Sequence, residues 1–324
     1  MRGATTLASA LMLSAMAGPL SAQEAITTTH AGLQGDLAGT LEGTLAQGTP
    51  AVLIVPGSGP TDRDGNSPLG IAAQTYKLLA EALAQRGIAS VRIDKRGMFG
   101  SAAAVPDPNA VTVEDYVADI ESWSETMATR SDGQCVWLLG HSEGGLMTMA
   151  AAANDPSRYC GLLLVASVGR NLGDVLRAQL AANPANAPLL PEIDAIIAKL
   201  KAGESVPAAG MHPALVPLFA PQVQGFLGSV FRQEPAELIA AHDLPVLILN
   251  GTADLQTPAA DAQALANARP DATLVILERA NHVLKQVPDD SRTANLATYA
   301  DPDLPLAPGV VDAIAQFVAE EGAS

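Results

Sequence analysis

Apolar runs of four to six residues recur along the chain at 51–55, 136–139, 161–166, 245–250 and 273–277, each closed by glycine, proline or polar residues, and 88–93 reads as a further strand of the series. Runs of that length between turn formers read as strands buried on both faces of a parallel sheet. Between them the apolar period lengthens to that of a helix: 71–86, which stops at Gly87; 113–127, with Tyr116, Ile120 and Trp123 on one face; 259–268; and a closing 310–319. Two short alternating segments, 25–29 and 37–45, read as an antiparallel pair ahead of this series. The alternation predicts an α/β protein with a mostly parallel central sheet, flanking helices and right-handed crossovers. Ligands of such sheets bind where the loops gather, at the C-terminal ends of the strands.

The alternation lapses between 169 and 243. Prolines and alanines interrupt short helical pieces (172–182, 193–200, 223–231, 236–241), and no strand is evident. The expected organisation is a core formed by 23–168 and 244–324, with 169–243 as a helical lid inserted above the sheet edge. Met211, Phe219, Phe226 and Phe231 in that insertion are candidates to line an apolar pocket, although at helical spacing such residues more often simply pack.

The strongest local signal follows the run 136–139. Gly140-His141-Ser142-Glu143-Gly144-Gly145 matches G-x-S-x-G between a strand and a small-residue helix, where glycines two before and two after the serine let the backbone pass close to its neighbours. Ser142 is the candidate nucleophile. A serine hydroxyl needs a base to take its proton, and the base needs an acid to hold its tautomer. Asp254 and His282 each stand just beyond a later strand, in the order Ser, Asp, His. Asp261, one helix turn further on, is the alternative acid. His30, His212 and His242 lie elsewhere in the chain, and His141 is expected to point away from the serine.

The loop 56–68 leaves the first inner strand rich in glycine and polar residues. It has no GK[ST] and no dinucleotide fingerprint, so the better reading is an oxyanion hole formed by the backbone N–H groups of Ser58 and Glu143. A carboxylate at Glu143 would weaken such a hole unless its side chain turned away, and Arg63 or Arg96 is the expected partner. The charged turn at 94–101 is read as fixing a loop rather than touching substrate.

Composition narrows the class. The 324 residues are 48% hydrophobic but only 3% aromatic, and the net charge is −16. So acidic a chain repels phosphate backbones and anionic headgroups, which argues against nucleic-acid and membrane partners. Residues 1–22 carry one charge, Arg2, then an apolar run and small residues to Ala22, the pattern of a cleaved secretory signal peptide. Export to the periplasm or beyond permits a disulfide, and Cys135 and Cys160 stand at the N-terminal ends of two strands expected to be neighbours. They are far from the Ser142 end and do not suggest a metal site.

Gly-Ser-Gly-Pro-Thr-Asp-Arg-Asp-Gly (57–65), Asp-Lys-Arg-Gly (94–97), Gly-His-Ser-Glu-Gly-Gly (140–145), Gly-Thr-Ala-Asp (251–254) and Asn-His (281–282) together resemble the bacterial α/β-hydrolase esterases related to the serine aminopeptidase group. The resemblance implies the α/β-hydrolase fold and a carboxylic-ester hydrolase activity; the expected substrates are small-molecule esters of short to medium acyl groups, and the serine mechanism needs no metal or organic cofactor. It implies Ser142, Asp254 and His282 as the triad and Ser58 and Glu143 as oxyanion donors. An aminopeptidase or an acyltransferase on the same scaffold is the alternative. Two departures stand out: Pro56-Gly57 where many relatives have His-Gly, and Met98-Phe99 before Gly100.

Overall fold

The computed structural model describes residues 23–322; the signal peptide expected at 1–22 lies outside them. Eight strands form one sheet in the order β1-β2-β4-β3-β5-β6-β7-β8. They are β1 (Gln23–Thr28), β2 (Leu37–Glu42), β3 (Ala51–Val55), β4 (Ala89–Ile93), β5 (Val136–His141), β6 (Tyr159–Val165), β7 (Val246–Gly251) and β8 (Thr273–Leu277). β1 with β2 is antiparallel, as the alternating pattern suggested, and so is β2 with β4; every other pairing is parallel.

The inner strands β3, β5, β6 and β7 are largely apolar because both faces are covered, while β4 buries Ser90 and Arg92 among its apolar residues. Along β3, Leu53 and Val55 face one core cluster while Val52 and Ile54 face the other. On the first side lie α2 (Val113–Arg130), α3 (Glu143–Asn154) and α8 (Ala259–Ala268); on the second lie α1 (Thr75–Ala84) and α10 (Val310–Glu321). Trp137 of β5 meets Phe317 of α10 edge to face, with ring centroids 5.8 Å apart. Each fully buried Leu, Ile or Val of this kind stabilises the fold by about 1.5–3 kcal/mol before entropy is counted. Thr112 caps α2 in a reciprocal capping box with Asp115.

The order in which strands are added reverses between the parallel neighbours β3 and β5. From β3 the chain crosses to β4 on one side, and from β5 it proceeds through β6 and β7 to β8 on the other. The crevice beyond the C-terminal ends of β3 and β5 is therefore the topological switch point, where open α/β sheets bind ligands.

Four α-helices, two short 3-10 turns and no strand lie between β6 and β7: the α-helices are α4 (Leu172–Ala181), α5 (Leu190–Lys201), α6 (Gln224–Phe231) and α7 (Pro235–Ala240). Phe219 and Phe231 are fully buried, Met211 nearly so, and Phe226 packs edge to face on Tyr116. Met211, Phe219 and Phe231 belong to the hydrophobic core, and the partly buried Phe226 packs against it. Helix α1 starts at Thr75, not at residue 71, because Ile71 forms an antiparallel bridge with Ser67. A further short helix, α9 (Arg292–Ala297), capped by Ser291, precedes α10.

Cys135 and Cys160 form a disulfide across β5 and β6, with Cα atoms 5.2 Å apart. Among the described residues, no helix is long and apolar enough to cross a membrane.

Candidate active site

Ser142 sits between β5 and α3 with φ 57° and ψ −123°, a left-handed conformation that costs a non-glycine residue about 1–3 kcal/mol. The surroundings enforce it. Ser142 N–H donates to the Val165 carbonyl of the neighbouring strand, and Gly145 N–H donates back to the Ser142 carbonyl. A Cβ at Gly140 would lie 2.5 Å from the Gly144 carbonyl and Gly145 Cα, and one at Gly144 would strike the Val55 carbonyl. Only glycine lets β3, β5 and α3 meet this closely, which is the physical content of the G-x-S-x-G pattern.

Ser142 and His282 line one cavity of about 60 Å³, with Gly57, Ser58, Tyr76 and Gln256 also in its wall. His282 Nδ1 lies 2.8 Å from Asp254 Oδ2. Burial raises the Asp254 carboxyl, but the charge and hydrogen bond of His282 and the N–H groups of Thr257 and Gln256 outweigh it and hold it below the ordinary Asp value. Those two N–H groups donate to Oδ1 at 2.8 Å, and the Thr257 hydroxyl lies 2.9 Å from Oδ2. An ionised Asp254 can only accept, so Nδ1 of His282 carries the proton and Nε2 is left as the basic nitrogen. Asp261, the alternative acid, instead binds the Gly169 N–H and the Arg170 guanidinium at 2.8–3.1 Å.

The loops that carry Asp254 and His282 are braced by a segment that sequence reasoning passed over. Asn295 of α9 donates to the Ala253 carbonyl at 2.7 Å, and Asn281 donates to Asn295 and Thr298. Its sequence signal was Ser291, a helix N-cap opening a short run.

The side chain of Glu143 turns away from the cavity, as expected, but its partner is Lys95, with Oε1 3.9 Å from Nζ, and neither Arg63 nor Arg96. Both arginines are committed elsewhere: Arg63 to Asp94, and Arg96 to Asp115 and Asp119. Lys95 and Glu143 are both buried; burial lowers the Lys95 pKa and raises that of Glu143, and their mutual attraction opposes each shift. The turn 94–101 does fix loops. Asp94 accepts from the Arg63 backbone and side chain and from Gly100 N–H, and the Ser101 hydroxyl donates to the Asp94 carbonyl.

His141, expected to point away, is buried but lines the wall of the same cavity, its ring centroid 4.8 Å from that of His282. Burial and the neighbouring His282 push its pKa down to about 3, so the ring is neutral. Among the described residues, no group of three His, Cys, Asp or Glu side chains is disposed to hold a metal ion.

A mostly parallel sheet with flanking helices, a serine on a strained strand-to-helix turn and a His–Asp pair on two later strand-end loops define an α/β hydrolase. The chain belongs to the family described as serine aminopeptidase, S33, whose profile matches residues 69–286. Ser142, Asp254 and His282 fall inside the match, and the loop carrying Ser58 precedes it.

No curated protein matches the chain in sequence. Among solved structures, it is similar to Est1E from Butyrivibrio proteoclasticus with ferulic acid bound (TM-score 0.57, 16% identity, 92% of this chain and 100% of that one). It is also similar to a thermophilic esterase from Thermogutta terrifontis (TM-score 0.55, 20% identity, 93% and 99%). A third is the monoacylglycerol lipase of Paleococcus ferrophilus (TM-score 0.51, 18% identity, 87% and 99%). At these identities the likeness is one of fold.

Proposed function

We propose that this chain is an exported serine carboxylesterase acting on small-molecule esters with short acyl groups. The observation that carries the reading is the 2.8 Å contact of His282 Nδ1 with a multiply hydrogen-bonded Asp254, in a cavity shared with the strained Ser142. Ser142 Oγ attacks the ester carbonyl carbon while Nε2 of His282 takes its proton. The carbonyl oxygen becomes an oxyanion between the N–H groups of Ser58 and Glu143, the latter at the positive N-terminus of α3. Collapse of this intermediate expels the alkoxide, which receives the proton from His282. Water then attacks the acyl-enzyme with His282 again as base, releasing the acid and restoring the serine.

The cavity at Ser142 and His282 is small, about 60 Å³, which supports a preference for short acyl groups. The segment 169–243 is proposed as a cap over the strand ends. The Cys135–Cys160 disulfide supports export, because such bonds persist in oxidising compartments.

The family's description makes aminopeptidase activity the second reading. It needs a carboxylate to hold a free amino terminus, and among the described residues that line the cavity none is an acid. Of the acids in the insertion, Asp194 pairs with Arg177 and Glu234 with Lys201. Turnover of p-nitrophenyl esters of two to eight carbons beside alanyl and prolyl p-nitroanilides tests the choice. Serine-dependent turnover of the short esters supports the esterase, and anilide cleavage without ester preference overturns it.

A further inference from the structure

Lys95 Nζ lies 2.6 Å from the backbone carbonyl oxygen of Gly57, and Lys95 is buried. On the other side of the same residue, Gly57 N–H donates to the Tyr76 hydroxyl at 3.1 Å. Both polar groups of Gly57 are therefore held. In a trans peptide the carbonyl of one residue and the N–H of the next point in opposite directions. Holding the Gly57 carbonyl toward Lys95 thus aims the Ser58 N–H the other way. Gly57 packs against Ser142, since a Cβ added there would lie 3.1 Å from Ser142 Cβ, and Ser58 lines the cavity beside it.

Lys95 itself is fixed from two further directions. Glu143 Oε1 lies 3.9 Å from Nζ, and the Tyr116 ring centroid lies 5.8 Å from it. Glu143 also supplies the second proposed oxyanion donor, its backbone N–H. A single lysine therefore bears on both halves of the oxyanion hole, gripping the carbonyl behind one donor and the carboxylate of the residue that carries the other.

We propose that Lys95 is a positioning residue that sets the plane of the Gly57–Ser58 peptide and so preorganises the oxyanion hole. The proposal rests on the esterase reading for its kinetic consequence, but not for its geometry. Removing one oxyanion donor typically costs a hundred- to a thousandfold in kcat; misaiming one should cost about ten- to a hundredfold.

Lys95→Met alone would strand a buried Glu143 charge, so the variant to make is Lys95→Met with Glu143→Gln, compared with Glu143→Gln alone. Three quantities are read: kcat and KM on p-nitrophenyl acetate, the rate at which a fluorophosphonate labels Ser142, and the orientation of the 57–58 peptide in a crystal structure. The expected result is kcat and labelling down at least tenfold, KM within about threefold, and the peptide plane rotated. If the double variant does not fold, Lys95→Met with Glu143→Met replaces the buried pair by apolar side chains and serves the same comparison.

An unmoved peptide plane, or labelling within threefold of the reference, overturns the proposal. If the unaltered chain neither hydrolyses esters nor is labelled, the esterase reading fails instead, and the peptide orientation still decides the role of Lys95.

Discussion

His141 Nε2 lies 2.8 Å from the backbone carbonyl oxygen of His282. A carbonyl can only accept, so this nitrogen carries the imidazole proton and Nδ1 is an acceptor. The Tyr76 hydroxyl, 2.9 Å from Nδ1, therefore donates to it, and its oxygen is free to accept the Gly57 N–H. One buried chain of hydrogen bonds thus links the proposed oxyanion loop, the residue before the nucleophile and the backbone of the proposed base.

Tyr76→Phe removes the hydroxyl and leaves both Gly57 N–H and His141 Nδ1 without this partner. Stranding buried polar groups costs about 1–3 kcal/mol of stability, and displacing reacting groups costs rate. The expected outcome is a fall in kcat of about tenfold with KM within about twofold, alongside a lower urea midpoint. Unchanged kcat in a destabilised variant would reduce the network to a purely structural role.

His141 also makes stability depend on pH. Its folded-state pKa is about 3 against an ordinary 6.5. Between those values the unfolded chain holds a proton that the folded chain does not, so stability falls as pH falls, by up to about 1.4 kcal/mol per unit. Unfolding free energies at pH 4.5 and 6.5 should therefore differ less for His141→Gln than for the unaltered chain. Equal differences would show that His141 titrates normally.

Asp254→Asn keeps the side-chain shape but removes the anion that fixes the tautomer of His282. A loss of turnover on the order of ten-thousandfold is expected. Asp261→Asn weakens the contacts to Gly169 and Arg170 and should leave turnover within about threefold while lowering stability by about 1–3 kcal/mol. Activity measurements on the two variants side by side separate the acids, and the reverse ranking would make Asp261 the functional one.

The disulfide closes a loop between residues 25 apart at the N-terminal ends of β5 and β6, away from Ser142. Replacing both cysteines by serine should cost about 2–4 kcal/mol while leaving kcat on a short ester within about twofold. A large loss of kcat in a folded double variant would connect that end of the sheet to the site.

What could be read from the sequence was what local pattern determines. The strand, turn and helix around Ser142 are encoded by glycine spacing, and Asp254 and His282 by their places after apolar runs. The cysteine pairing followed from β5 and β6 being neighbours. Partners set by side-chain direction across loops were not legible. Nothing in the order Asp94, Lys95, Arg96 says which of them faces Glu143, because strand alternation ends at Ile93 and the turn re-aims each side chain. Nor does the single histidine next to Ser142 announce that it binds the backbone of residue 282. Ile71 extended the helical pattern of α1, yet a tight local turn pairs it with Ser67 in a bridge, and it stands in the cavity wall.

The most direct test of the central claim is the rate of p-nitrophenyl acetate hydrolysis by the chain and by Ser142→Ala, each shown to be folded. If Ser142 is the nucleophile, turnover should fall in the variant by up to about a millionfold, to the level left by binding and the oxyanion hole. Turnover within tenfold of the unaltered chain would contradict the account.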